Sequence, residues 1–407
     1  MFLKSLCSKS CQIHILKVWS INSGLDANNR LSTSEYLMTK WIEMTGSTSP
    51  AFNFGVFIDA VVRYSQLHYS LFGKYEGELM LQPSEEVLKQ ISGTFKDFLE
   101  ENNLSPLIPL FQRTQTSQGY GYLDEIGTLY GLLWNTPKFL ISYGLNALGV
   151  KKDPYQVYML KDGFENIWNT VASKENFDIR YNTNIRNIDR NDNNVILQYS
   201  ESGSRTGSEE CDFLIWTPPM PEFINRLSSP SEEEIELFST LSSHVFVATL
   251  IKEMDVIRNR PITYYHENLD GKVDGEVTAD LNFEDELNYC EAGCESTIDD
   301  YIKERGLERI MSVVQLQREA TSEVDSNEIL KNHYQDNFGA SNIEILNTKT
   351  WDYFYKWTPD ELGEGIHWKV FNIQGMHKTW YAGASVCFES VKSVMEYNEL
   401  LLRQMSE

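Results

Sequence analysis

The sequence predicts an α/β fold in which two domains are interleaved along the chain. Three observations carry this. The apolar run Cys211-Asp212-Phe213-Leu214-Ile215-Trp216-Thr217, stopped by Pro218-Pro219, has the pattern of a short strand buried on both faces, as in a parallel sheet. Near the end of the chain, Lys378-Thr379-Trp380-Tyr381-Ala382-Gly383-Ala384-Ser385 reads as strand and glycine turn. Phe388, Val391, Val394, Met395 and Leu401 then recur as a helix. Between and before these two strands lie long helical and mixed segments, so the chain leaves a sheet and returns to it. The division expected is one domain from residues 1–30, 157–220 and 375–407, and a second, α+β domain from the helices of 50–150 and the mixed sheet of 225–370.

The 407 residues suffice for two substantial cores, and 41% hydrophobic with 12% aromatic content marks a globular chain rich in large rings. A formal charge of −24 argues against nucleic acid and anionic membrane surfaces, which need clustered Lys and Arg. No stretch approaches the roughly 18–20 apolar residues of a membrane span. Met1 through Trp19 carries three lysines and no acid, but its apolar runs are broken by Cys7-Ser8-Lys9-Ser10 and Gln12. It makes a poor signal peptide, and a cytoplasmic location is expected. The six cysteines are Cys7, Cys11, Cys211, Cys290, Cys294 and Cys387. Two pairs are spaced C-x3-C, but no further Cys or His pair converges on them. Free thiols, and no metal site, are expected.

In chain order, Gln12–Val18 is strand-like, Asn22–Arg30 polar, and Ser34–Glu43 helical. Phe54, Phe57, Ile58, Val61, Val62 and Leu67 recur at helical spacing. Pro83-Ser84-Glu85-Glu86 opens a helix reaching Leu99, with acids where a helix N-terminus favours them. A third helical run covers Leu123–Trp134 and ends near Pro137. Asp162-Gly163 opens another helix. Phe177, Ile179 and Tyr181 alternate as a strand that Ile185 and Ile188 continue to a turn at Asn191–Asn194, and Val195–Tyr199 returns as the hairpin partner. A polar loop leads to Cys211. Ser231 with Glu234 forms a capping box. Val245–Ile251 and Ile310–Leu316 are strands, and Asp325 with Glu328 caps a helix that stops at Gly339. Two glycine pairs fail as nucleotide-binding turns. Gly119-Tyr120-Gly121 has Asp124, and Gly363-Glu364-Gly365 has Trp368, where the third glycine belongs.

Four pieces of this chain stand in the order found in flavoproteins related to amine oxidases and protoporphyrinogen oxidase, and the chain resembles that superfamily over roughly residues 50–405. They are the turn Asp162-Gly163, the strand Asn182-Thr183-Asn184-Ile185-Arg186-Asn187-Ile188, the run Asp212 to Pro218, and Tyr381-Ala382-Gly383 before the final helix. Gly119-Tyr120-Gly121-Tyr122-Leu123 and Tyr130–Pro137 further resemble the fungal β-cyclopiazonate dehydrogenase type, whose members are FAD-dependent oxidocyclases or oxidases. The resemblance implies a FAD-binding, Rossmann-like domain interleaved with a substrate domain, and FAD as cofactor. It implies cofactor contacts at Asp162, Gly163, Asn184, Ile185, Thr217, Gly383, Ala384 and Ser385. It also places the substrate side of the flavin at Tyr353, Phe354, Tyr355 and Trp357. Hydride removal from a hydrophobic, ring-bearing small molecule is the expected reaction. Flavin carries that chemistry, so no dedicated catalytic residue is identified.

The chain departs from the pattern in three places. The strand–G-x-G-x-x-G–helix unit is missing near the N-terminus, Asp162 replaces a glycine, and Ala384 replaces an acid. FAD is therefore expected to bind this polypeptide poorly or not at all, and the strands around Leu214 and Trp380 to expose an apolar edge. Three accounts remain open: an oxidoreductase whose nucleotide half is rebuilt or lies on a longer natural chain, a non-catalytic relative that binds a ligand or partner, and an α+β scaffold whose likeness is accidental. Each proposed site residue also has a plainer reading. Asp162-Gly163 serves equally as a helix cap, Asp212 as a strand terminator, and the rings of 351–357 as core.

Overall fold

The computed structural model describes residues 15–20, 33–73, 82–147, 156–160, 164–175, 177–201, 205–253, 262–282, 309–318, 325–340 and 342–406. Strand β1 (Ile15–Ser20) pairs antiparallel with β2 (Gln156–Leu160). Between them lies a helical layer: α1 (Thr33–Thr45), α2 (Pro50–Phe72), α3 (Glu85–Gln90), α4 (Phe95–Glu101), α5 (Ile108–Gln115), α6 (Thr128–Trp134) and α7 (Pro137–Ala147). Helix α2 starts where Ser49 accepts from the Phe52 N–H with Pro50 in the first turn, and stops at Gly73. It buries Phe57, Ala60, Val61, Tyr64 and Leu71.

Two helical expectations are corrected here. The run from Pro83 to Leu99 is split into α3 and α4. Gly93 takes φ +108°, and Thr94 restarts the helix by accepting from the Asp97 N–H. The run from Leu123 to Trp134 is helical only from Thr128. The carbonyls of Leu123 and Ile126 instead accept the N–H groups of Lys96 and Phe95, at 2.8 and 2.9 Å. They satisfy the first turn of α4, whose N–H groups have no intrahelical partner. As expected, α6 ends before Pro137, which opens α7.

After α8 (Glu165–Glu175) comes a meander, β3 (Asn184–Arg190), β4 (Val195–Glu201) and β5 (Arg205–Cys211), in that sheet order. Phe177, Ile179 and Tyr181 are not a strand. They are exposed, at 60%, 43% and 69%, and among the described residues no strand pairs with them. Residues 205–211, expected as loop, form an edge strand in full register with β4. Its side chains are mostly polar and exposed, so it lacks the apolar alternation by which strands are recognised.

The short β6 (Leu214–Trp216) is followed by α9 (Met220–Ile224) and α10 (Glu232–Phe238), the latter opened by the complete Ser231–Glu234 capping box. Next comes a five-stranded sheet in the order β11-β7-β10-β9-β8, built from β7 (Ser242–Glu253), β8 (Ile262–Tyr264), β9 (Val277–Asn282), β10 (Arg309–Gln317) and β11 (Ile343–Lys356). All its pairings are antiparallel. Strand β7, flanked by β11 and β10, buries Val245, Val247, Thr249 and Ile251 at a period of two. Helix α11 (Ser326–Phe338), capped by Asp325 and ended by Gly339, packs Leu330 and Tyr334 beneath this sheet. The chain closes with α12 (Pro359–Gly363), α13 (Ile366–Asn372), β12 (Thr379–Tyr381) and α14 (Val391–Ser406).

Strands β6 and β12 pair in parallel, Leu214 opposite Thr379 and Trp216 opposite Tyr381. The two apolar runs separated by some 160 residues therefore lie side by side. The larger core draws on both ends of the chain, from Tyr36 and the helices of 50–140 to Trp216, Tyr381 and Leu401. Among the described residues no helix is long and apolar enough to cross a membrane.

Candidate functional site

The site is built from the parallel strand pair outward. The outer edge of β12 is closed by a side chain. The Gln374 amide donates to the Tyr381 carbonyl and accepts from the Tyr381 N–H, each at 2.8 Å, and also donates to the Tyr397 hydroxyl. A glutamine thus does the work of a neighbouring strand. On the opposite side Phe213 and Ile215 stand exposed.

Beneath β12 lies a buried ion pair. Arg190, at the end of β3, meets both oxygens of Glu234 at 2.7 and 2.8 Å, with side chains 4% and 3% exposed. The Tyr381 hydroxyl donates to Glu234. Burial alone would raise the Glu234 carboxyl. Arg190, Tyr381 and the Ser231 N–H outweigh it and hold the group below its usual value. The charge-assisted fork locks β3, α10 and β12 together.

At the turn, Gly383 has φ 94° and ψ −179°, a region essentially closed to other residues. A Cβ there would stand 2.6 Å from the Thr217 carbonyl oxygen. The close approach expected of this glycine is therefore made, at least in part, to the chain's own backbone at the end of β6. Thr217 and Gly383 are brought together. Ala384 and Ser385 follow in a single 3-10 turn. The Ser385 hydroxyl is buried and has no hydrogen-bond partner. Cys387 donates to the Gly383 carbonyl, and burial pushes its thiol up to about 12. The long C-terminal helix starts only at Val391, where Ser390 accepts from the Ser393 N–H, so its N-terminus does not follow directly on Gly383.

The next residue pair, Phe388-Glu389, meets β11. Strand β11 has a bulge between Tyr353 and Lys356, and Phe354 takes φ +54°, which is costly for a bulky side chain. The bulge turns the Phe354 ring inward, 1% exposed, against Phe388 at 5.5 Å and Tyr130 at 5.2 Å. Tyr120 closes on Phe388 at 5.1 Å and on Trp134 at 5.0 Å, and stacks on Tyr353 at 6.3 Å. The Phe354 backbone hydrogen-bonds the Glu389 carboxyl, yet burial dominates and pushes that group up to about 7. Gly119 makes room for this packing, since a Cβ there would lie 2.7 Å from Phe246 and 3.0 Å from Tyr353.

A second polar group flanks the rings. Glu125 meets Lys356 at 3.2 Å and Arg318 at 3.1 Å, and Arg318 also reaches Asp124 at 3.2 Å. His244 Nδ1 lies 3.2 Å from the Arg318 carbonyl. Burial, then Lys356 and Arg318, drive the His244 imidazole well below its usual value. It is neutral, so its 3.6 Å approach to Glu125 is not an ion pair.

The remaining sequence-derived positions are dispersed. Asp162 and Gly163 lie outside the described residues. Asn184 is exposed at the start of β3, and the Ile185 carbonyl accepts from Arg226 Nε at 3.1 Å. Tyr355 is half-buried, and burial, then Asp352 and Glu222, push its hydroxyl up to about 12. Trp357 is buried, its indole donating to the Leu237 carbonyl and its backbone N–H to the Tyr130 hydroxyl. Tyr120, Trp134, Phe388, Glu389 and Lys356 were given no site role from sequence. The signal was present in Gly119-Tyr120-Gly121, whose glycines are needed for ring packing rather than for a phosphate. Among the described residues no group of three or more His, Cys, Asp or Glu could hold a metal ion.

The residues described fit the ring end of a flavin better than its nucleotide end. A glycine turn, the orphaned buried hydroxyl of Ser385 and the rings around Phe354 would suit the ring of a flavin. At the other end, no glycine-rich strand-to-helix turn occurs among the described residues.

No family model matches the chain, and no curated protein matches it. Solved structures do. A CLA-producing fatty acid isomerase from P. acnes is 19% identical over 91% of this chain and 84% of its own, with a TM-score of 0.67. Wild-type putrescine oxidase bound to putrescine is 11% identical over 86% and 76%, with a TM-score of 0.53. Cyclohexylamine oxidase from Brevibacterium oxydans IH-35A is 10% identical over 86% and 76%, with a TM-score of 0.51. At such identities the likeness is one of fold: the chain has the mixed helix-and-sheet fold of these oxidases and of the isomerase.

Proposed function

We propose that this chain is an amine-oxidase-like, FAD-dependent oxidoreductase that takes a hydride from a hydrophobic, ring-bearing small molecule. The β-cyclopiazonate dehydrogenase type is the branch its tyrosine-rich segments resemble. The observation that carries the reading is the meeting of Phe388-Glu389, just past the Gly383 turn, with the bulged segment Tyr353-Phe354. The segment that the resemblance places on the substrate side thus packs against residues that follow directly on the turn it places at the cofactor. The division into a cofactor domain (1–30, 157–220, 375–407) and a substrate domain (50–150, 225–370) belongs to the same proposal.

Bound FAD supplies the hydride-accepting chemistry. This chain's residues do the rest. Ser385 offers its free hydroxyl to a ring heteroatom. Tyr120, Trp134, Tyr353 and Phe354 hold an aromatic substrate by edge and face contacts and exclude water. Glu389, poised near neutral pH, receives a substrate proton.

Titration of the purified chain with riboflavin and with FAD, followed by flavin fluorescence, tests the reading. Because the described residues hold no glycine-rich strand-to-helix turn for a nucleotide, the two should bind within about tenfold of each other. Anaerobic addition of ring-bearing amines or indoles should bleach the flavin band, more slowly in Tyr353→Ala. Near-stoichiometric FAD binding would support the oxidoreductase and overturn the weak nucleotide end. Absence of binding by either flavin at about 1 mM would overturn the function.

A further inference from the structure

The bulge in β11 is strained, and its two ends are anchored. Phe354 holds φ +54° where the register slips between Tyr353 and Lys356. A bulky residue stays in that region only where its surroundings impose it, and such positions cluster at ligand sites and switch regions. Beyond the bulge, Lys356 meets Glu125 at 3.2 Å, and the Trp357 N–H donates to the Tyr130 hydroxyl at 3.2 Å. Before it, Tyr353 keeps its ladder place opposite His244. Between these anchors Phe354 and Tyr355 have no partner in the pairing with β7, so their dihedrals can change without breaking the sheet. What holds Phe354 inward is the packing of its ring on Phe388 and Tyr130 and the bond from its backbone to the Glu389 carboxyl.

Glu389 is half-buried. The titratable groups that feel its charge are the Tyr353 hydroxyl on β11, the Tyr120 hydroxyl after the turn at Gly119, and the Cys387 thiol on its own turn. Burial raises all three, and the Glu389 charge adds to it. None of them is a cation. The lysines on the adjoining elements are engaged, Lys356 with Glu125 and Lys392 with Glu396 at 2.9 Å. An ionised Glu389 is therefore disfavoured against the closed bulge: burial outweighs the Phe354 hydrogen bond and pushes the carboxyl up to about 7. A conformation in which the bulge lifts and water reaches the carboxylate restores the ordinary value of 4.5. That conformation binds fewer protons, so rising pH favours it.

We propose that the bulged segment 353–355 is a pH-sensitive gate, closed with the Phe354 ring inward while Glu389 is protonated and swung outward when Glu389 ionises. Opening relaxes Phe354 toward extended backbone and takes its ring out of the aromatic wall. The gate is a property of the chain without flavin; its meaning as an entrance for substrate rests on the flavin reading. Hydrogen exchange of the full chain, followed by mass spectrometry on peptides covering 350–357 and corrected for intrinsic rates, measures the opening. With values of 4.5 open and about 7 closed, the opening constant should rise about tenfold from pH 6 to pH 8. In Glu389→Gln, which stays neutral, it should not change with pH. Should that variant fail to fold, Glu389→Leu, likewise uncharged, takes its place. Amides of β7 at 247–249 should exchange far more slowly throughout, which separates local opening from unfolding of the whole chain. A wild-type opening constant that is flat between pH 6 and pH 8, a rise that persists in the uncharged variant, or exchange at 353–355 no faster than in β7 overturns the proposal.

Discussion

Replacing Gly383 with alanine should destabilise the fold even with no cofactor present. The added Cβ would sit 2.6 Å from the Thr217 carbonyl oxygen, a backbone atom that cannot swing aside, and the residue would have to hold φ 94°, ψ −179°. The dihedral strain alone costs roughly 1–3 kcal/mol, and relieving the clash by shifting β6 from β12 adds a comparable amount. About 3 kcal/mol is expected in total, or a fall of several degrees in melting temperature for a chain of this size. Gly339 is the internal control. It also has positive φ, +65°, but nothing lies within 4 Å of its Cβ position. Gly339→Ala should cost only about 1 kcal/mol. Urea unfolding of both variants, followed by tryptophan fluorescence, gives the comparison. If Gly383→Ala is no more destabilising than Gly339→Ala, the packing argument is wrong. If it folds normally but loses flavin, the close approach serves the ligand rather than Thr217.

Removing Arg190 by Arg190→Met strands a buried carboxylate and should cost about 3–5 kcal/mol in urea unfolding. A loss below about 1 kcal/mol would show that Glu234 finds water. Because Glu234 titrates below its ordinary value of 4.5, the stability it contributes is present above about pH 4.5 and lost as the pH falls through its folded value, so Glu234→Gln should flatten the acid limb of a stability–pH curve. Glu389 has the opposite sign. Raised from 4.5 to about 7, it binds more protons folded than unfolded across that window, so wild-type stability falls as pH rises from 4.5 to 7. Glu389→Gln should gain on wild type by about 1–2 kcal/mol at pH 8 relative to pH 4.5, after allowance for its partial exposure, and a pH-independent difference would refute this. Gln374→Ala leaves the Tyr381 N–H and carbonyl unpaired and should cost about 2 kcal/mol, with faster amide exchange at Tyr381 as the local readout.

The two apolar runs at 214–216 and 379–381 were legible as strands because a strand buried on both faces needs a continuous apolar stretch and a hard stop. Pro218-Pro219 and Gly383 supply the stops. Helix caps were legible for the same local reason: Ser231 with Glu234, and Asp325 with Glu328, are chemistry within four residues of one another. The likeness in fold to oxidases was legible from four short segments whose order the chain preserves. What the sequence could not give was set by distant partners. Residues 177–181 alternate like a strand but, among the described residues, no strand pairs with them. Residues 205–211 do not alternate, yet pair completely, because an edge strand needs backbone partners rather than apolar side chains. Leu123–Ile126 has a helical pattern, but its carbonyls are claimed by a helix that starts thirty residues earlier. Gly383 was readable as a place of close approach, while only the tertiary structure shows Thr217 as the neighbour. The ring cluster of Tyr120, Trp134, Phe354 and Phe388 and the bulge that turns Phe354 inward arise between residues far apart in the chain. Local propensity speaks for neighbours in sequence, and these are neighbours only in space.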